Sequence, residues 1–189
     1  PGDIEQGYGE YPMLEPAGTY VVMGLLDRHS LAWAIGHAIS AAGGRVVYSV
    51  QSEVLKKRYL DPDRAIPDAE RAALDLRFCD VSVEDEVKAL FEQLGPIAGV
   101  VHSVAYANPR TCLGEEFHTD AVQDVLRSYH VSSVSLATVT RCAAPRMAEG
   151  GAVVALTFDS AHAYPIYNWM GVHKAAIEAL VRALARRHG

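Results

Sequence analysis

The chain has 189 residues, a formal net charge of −6, and a composition that is 50% hydrophobic and 21% charged. At about 150 residues per domain this is one globular domain with enough apolar matter for a core, which excludes a disordered chain. It holds no run of ~18 apolar residues to span a membrane, and its acidic balance argues against a nucleic-acid binder.

Residues 1–18 hold Gly, Pro, Tyr and acidic residues without periodicity and read as an N-terminal tail, leaving 19–189 as the domain. The N-terminus carries no basic stretch followed by an apolar run, so no secretory signal is expected. Thr19–Met23 is a short β-rich run followed by Gly24. From Ser30 the apolar residues Leu31, Ala34, Ile35, Ala38 and Ile39 recur at helical spacing until Gly43-Gly44. Arg45–Val50 reads as a second strand, then a polar helical stretch broken near Asp61-Pro62 and Pro67. Ala73–Phe78 is a third strand and Val83–Leu94 an amphipathic helix stopped by Gly95-Pro96. Gly99–Ser103 is a fourth strand, residues from about Thr119 to Met147 a long helical segment, Ala152–Thr157 a fifth strand and Asn168–Arg187 a final helix. Alternation of this kind predicts an α/β fold: a doubly wound parallel sheet between two helical layers, its strands apolar throughout because both faces are covered.

Three groups of residues stand where such a sheet places chemistry. The turn Gly24–Ser30 follows the first strand, where doubly wound sheets hold a phosphate. Gly24 permits a sharp bend, and Ser30 opens a helix whose free N–H groups favour an anion. Ser30 and Gly24 are equally readable as a plain cap and a plain turn, since no G-x-G-x-x-G is present. Tyr167 and Lys174 lie seven positions apart, nearly two helical turns, so they share a face. An ammonium beside a phenol favours the phenolate, which predicts a lowered tyrosine pKa and a group able to donate to an enolate or alkoxide oxygen. Gln51, Asp80-Val81 and Ser103-Val104-Ala105 each follow a strand and share one sheet edge, where a dinucleotide would lie. Lys56-Lys57-Arg58 reads as a solvated face that could also touch a cofactor 2′-phosphate. Residues Tyr164–Met170 read as core or as the wall of an apolar slot. No metal is assigned to the eight histidines, and the scattered Cys79, Cys112 and Cys142 point to a reduced compartment rather than a disulfide or zinc framework.

Together these motifs resemble the enoyl-acyl-carrier-protein reductases of the short-chain dehydrogenase/reductase superfamily. Gly24 is followed six positions on by Ser30-Leu31-Ala32. The fourth strand reads Val101-His-Ser-Val-Ala-Tyr-Ala107, and the helix reads Tyr167-Asn168-Trp169-Met170 through Lys174. The resemblance runs from about Thr19 to the C-terminus. It implies a Rossmann-like fold and NADH-dependent reduction of a trans-2-enoyl thioester on an acyl-carrier protein, in fatty-acid synthesis, with NADPH the less favoured cofactor. It implies that Tyr167 holds the enolate oxygen and that Lys174 holds the nicotinamide ribose. Gly24, Ser30 and Leu31 are implied at the pyrophosphate, Gln51 at the ribose, Asp80 and Val81 at adenine, and Ser103, Val104 and Ala105 along the cofactor. Ala107 and Phe158 are implied at the acyl site, with Phe158 where other members carry a second tyrosine. The resemblance also implies a homo-oligomer assembled through helices such as 120–147, and a cytoplasmic, organellar-matrix or plastid setting.

Family members continue past the helix bearing Lys174, so the expectation is a sheet lacking the family's last strands, with strand five an open edge. Two other functions stand beside the reductase: a non-catalytic scaffold on the same fold, and a carbonyl-reducing short-chain dehydrogenase. The second usually carries a serine about thirteen residues before its tyrosine, where this chain has Val154.

Overall fold

A computed structural model describes residues 14–15, 17–117 and 121–189. Most of the expected tail, and the expected helix start at Thr119, lie outside the described residues. Ala17 and Gly18 are already tied into the fold: the amide of Ala17 donates to Gly43 O at 3.0 Å, and Gly18 O accepts from Arg45 N at 2.8 Å.

Five parallel strands form one sheet in the order β3-β2-β1-β4-β5. They are β1 (Thr19–Met23), β2 (Arg45–Val50), β3 (Asp75–Phe78), β4 (Gly99–His102) and β5 (Ala152–Ala155). Strand order reverses between β1 and β4, which makes that junction the switch point where such sheets open a crevice. Side chains alternate across a strand, and the core divides accordingly. Val21, Met23, Val47 and Val100 pack on one face with Val87, Leu90, Phe91 and Val139. Tyr20, Val22, Tyr48, Val50 and Val101 pack on the other with Ala32, Ile39, Leu60 and Ile66. This is the expected three-layer α/β arrangement.

The helices are α1 (Leu31–Ala41), α2 (Glu53–Leu55), α3 (Asp68–Ala73), α4 (Glu84–Glu92), α5 (Val122–Tyr129), α6 (Ser135–Ala143) and α7 (Asn168–His188). A π turn, Lys56–Leu60, extends α2, and a second, His130–Val134, joins α5 to α6. Ser30 caps α1 in an extended conformation, its Oγ accepting from Trp33 N at 3.4 Å. Among the described residues no helix is long and apolar enough to cross a membrane.

The expected burial of every strand on both faces fails at the sheet's edges. Val153 and Val154 of β5 are exposed, as is Phe78 of β3. Edge strands have a neighbour on one side only, and helix cover thins there. The interior strands β1 and β4 are buried along their whole length.

Candidate active site

A cleft of about 360 Å³ opens beyond the carboxyl ends of β1, β2, β3 and β4. Its floor is main chain. Gly24 has φ +88°, and a Cβ there would run into the carbonyl oxygen of Ser103. Only glycine lets the ends of β1 and β4 approach so closely. The amides of Gly24 and Leu25 both donate to Ser49 O, at 3.1 and 3.0 Å, which anchors the first turn on β2.

Gln51, Asp80, Val81, Ser103, Val104 and Ala105 line this cleft, as the sequence predicts. Ser30 and Leu31 do not. The Ser30 hydroxyl donates to Asp27 O at 2.6 Å while capping α1, so it is spent on the turn itself, and the Leu31 side chain is exposed. At the cleft's far end Gln51 Nε2 donates to Asp80 Oδ2 at 2.7 Å. The other carboxylate oxygen of Asp80 accepts from Ser82 N at 2.9 Å and Ser82 Oγ at 2.6 Å. Burial works to raise the pKa of Asp80, but the hydrogen bonds from Ser82 and Gln51 outweigh it and hold the carboxyl below its ordinary value. Cys79 lies beneath, its thiol pushed up to about 12 by burial and therefore unreactive at neutral pH.

The wall opposite joins Tyr106 of the fourth-strand motif to Arg127, which lies in no motif. Arg127 of α5 lies over the ring of Tyr106, its Cζ 5.0 Å from the centroid, and both line the cleft. Tyr106 is clamped through its backbone. Its amide donates to Ser132 Oγ at 3.0 Å, and its carbonyl accepts from Ser128 Oγ at 2.7 Å and Ser132 Oγ at 3.0 Å. The second π turn brings Ser132 into this position, and such insertions recur at functional sites. Ala107, half-buried, is carried on the same clamped segment.

The Tyr–Lys pair stands at the end of β5. Lys174 is 6% exposed, and its Nζ donates to Leu156 O, just past β5, at 2.7 Å. Burial pushes its pKa below that of an ordinary lysine. Tyr167 precedes α7, and its ring packs on Phe158 with centroids 4.8 Å apart; Phe158 also meets Tyr164 at 4.8 Å. The expectation of a phenol acidified by the lysine is corrected. Burial raises the Tyr167 pKa, the opposite of what a dominant neighbouring ammonium would give. Within the stretch 164–170, Tyr164 and Ile166 are exposed and Met170 is buried in the core.

A parallel α/β sheet with a cleft at its switch point, and a lysine on the helix after the fifth strand with a tyrosine just before that helix, defines a short-chain dehydrogenase/reductase architecture. A family model described as enoyl-(acyl carrier protein) reductase matches residues 24–189, and the chain belongs to that family. The NADH-dependent enoyl-[acyl-carrier-protein] reductase FabI of Bacillus subtilis is 35% identical over 170 residues, 87% of this chain and 64% of that protein. An NADPH-dependent counterpart from Staphylococcus aureus is 33% identical over 172 residues, 88% and 66%. The crystal structure of the Anaplasma phagocytophilum enzyme in complex with NAD superposes with a TM-score of 0.80 at 33% identity, covering 92% of this chain and 66% of that one. The chain thus spans just under two thirds of the B. subtilis reductase.

Proposed function

We propose that this chain carries the cofactor cleft and catalytic pair of a reductase that saturates the trans-2 double bond of an enoyl thioester on an acyl-carrier protein, using NADH, in fatty-acid synthesis. The observation that carries the reading is the convergence of Gly24, Gln51, Asp80, Val81 and Ser103–Ala105 on one cleft at the sheet's switch point, in a chain of this family.

The cleft suits a dinucleotide on its own terms. Asp80, held ionised, is an acceptor for an amino group at the adenine end. The amide of Gln51 faces Asp80, which leaves its oxygen to accept from a ribose hydroxyl. A 2′-phosphate would need an uncommitted cation. Lys56 pairs with Asp61 at 2.6 Å, Lys57 with Glu53 at 2.8 Å, and Arg58 lies over Tyr59 at 5.3 Å. This engagement favours NADH over NADPH.

NADH, when bound, would supply hydride for the β-carbon of the substrate. The alkene pair would shift to the bond between the α-carbon and the carbonyl carbon, and the carbonyl pair onto the thioester oxygen. The Tyr167 phenol, kept protonated by burial, donates a hydrogen bond to that oxygen, and a proton added at the α-carbon completes the reduction. Lys174, anchored on Leu156 O, has two N–H groups left for ribose hydroxyls and adds positive potential. Phe158 has no proton to give; it braces Tyr167 and, with Tyr164 and Ile166, offers apolar surface for an acyl chain. Ala107 and Tyr106 extend that surface. A homo-oligomer would cover the exposed Val122, Leu126, Tyr129 and Val134 of the α5–α6 segment and Val172 and Val181 of α7.

Consumption of NADH with a crotonyl thioester tests the reading. Turnover that falls about 100-fold or more in Tyr167→Phe and Lys174→Ala supports it. A folded chain that binds NADH yet reduces ketones and no enoyl thioester would sink it.

A further inference from the structure

Asn168 follows Tyr167 and begins α7. Its φ is +42°; among the described residues only one other non-glycine residue, Ala17, has positive φ. Asparagine visits this region more readily than most residues because its short amide can bond nearby. Here the amide bonds across space instead. Asn168 Nδ2 donates to Gly114 O at 3.3 Å and also to Glu116 O. Two carbonyls facing one group require the NH2 side, so the amide's orientation is set by chemistry. Its Oδ1 is buried without a hydrogen-bond partner.

A third bond runs the other way. The amide of Gly114 donates to Ile166 O at 3.0 Å. Residues 114–116 and 166–168 are therefore stitched together on both sides of Tyr167. The same loop is fixed at its other end, where Asn108 Nδ2 and Thr111 Oγ1 both donate to Asp124 Oδ2 at 2.8 Å. It continues directly from the segment Ser103–Tyr106 that lines the cleft. Main chain thus runs from the cleft, past α5, to the flank of the phenol, and Asn168 closes the circuit.

We infer that Asn168 is a positioning residue: it sets the Tyr167 phenol relative to the substrate by locking loop 108–117 to the start of α7. The inference rests on the reductase reading for its kinetic arm only. Asn168→Gly keeps the left-handed backbone and removes both donors. Asn168→Asp keeps the backbone preference but sets carboxylate oxygens against two carbonyls.

Amide hydrogen exchange and steady-state kinetics on the whole chain test it. In the wild type the Gly114 amide should be protected about as well as the hydrogen-bonded second turn of α7. In both variants exchange over 108–117 should quicken roughly tenfold while β1, β2 and β4 are unchanged. Turnover should fall about tenfold with the Kd for NADH unmoved. An unprotected Gly114 amide in the wild type overturns the inference whether or not the variants fold. So does full turnover in either variant, or lost turnover with unchanged loop exchange. A wild type that shows the exchange pattern but reduces no enoyl thioester removes the proposed function and leaves the loop coupling in place.

Discussion

Gln51 Nε2 and Asp80 Oδ2 lie 2.7 Å apart, so the ends of β2 and β3 are joined by a side-chain bridge in the wall of the cleft. Each was nominated separately as a cofactor contact, and each orients the other. The bridge turns the acceptor oxygen of Gln51 free of Asp80 and helps keep the Asp80 carboxyl ionised.

Gln51→Glu replaces the donor with a second carboxylate. Two like charges at that distance disfavour ionisation of both, so the Asp80 pKa rises. The Kd for NADH at neutral pH should increase about tenfold, the size of one charge-assisted hydrogen bond. It should recover as pH falls and one carboxyl takes a proton. Calorimetric titration of NADH across pH checks both parts.

The direction of the Tyr167 shift predicts the alkaline side of the pH–rate profile. A phenol that must donate is active while protonated, and burial raises its pKa above the ordinary value of about 10. Turnover should hold steady through neutral pH and fall only above about pH 10. Were the lysine acidifying the phenol, the fall would begin near neutrality. The residual activity of Tyr167→Phe should keep only the alkaline limb that comes from Lys174, whose ammonium burial makes easier to deprotonate.

Two buried histidines predict acid sensitivity. His102 is fully buried, its Nε2 2.8 Å from Ser135 Oγ and its Nδ1 without a partner, and burial followed by the charge of Lys174 lowers its pKa to about 4. His173 lies between Tyr129 and Trp169 with neither ring nitrogen partnered, and burial lowers it to about 4. Between pH 4 and about 6.5 the unfolded chain binds more protons at these rings than the folded one, so stability rises with pH there. The contribution is complete above about pH 6.5 and is lost as pH falls toward 4, roughly 2–3 kcal/mol per ring. Denaturant melts at pH 4.5 and 7 should show a smaller difference in His173→Leu than in the wild type.

Gly36 offers a stability test separate from the cleft. A Cβ on this α1 residue would run into the hydroxyl and ring of Tyr48 on β2, in the core. Gly36→Ala should cost about 1–3 kcal/mol despite alanine's higher helix propensity. Adding Tyr48→Phe should recover part of that, because the nearest obstructing atom is the hydroxyl oxygen. Thermal melts of the single and double variants read this directly.

Sheet and cleft were legible from sequence because one regularity governs both. Gln51, Asp80 and Ser103 each close an apolar run, and in a parallel sheet all such ends lie on one edge. At Ser30 the serine chemistry that invites an anion also satisfies a helix start, and the hydroxyl serves as the cap of α1. The apolar run of Val153 and Val154 records what a strand prefers, not which neighbours it meets, and their exposure fits the open edge expected of strand five rather than the burial expected of every strand. The bonds of Ser128 and Ser132 to Tyr106 join residues more than twenty positions apart, and no local pattern announces them. Asn168 was visible only as a letter in a motif; its left-handed backbone and its reach to residue 114 are tertiary facts.

The floor where Gly24 meets the Ser103 carbonyl has a consequence for divergence. Peptide groups are the same in every sequence, so the contour at that crossing is inherited whole wherever the glycine survives. Mutation can then change the surrounding side chains without disturbing that crossing. Replacing that one glycine would force the ends of β1 and β4 apart.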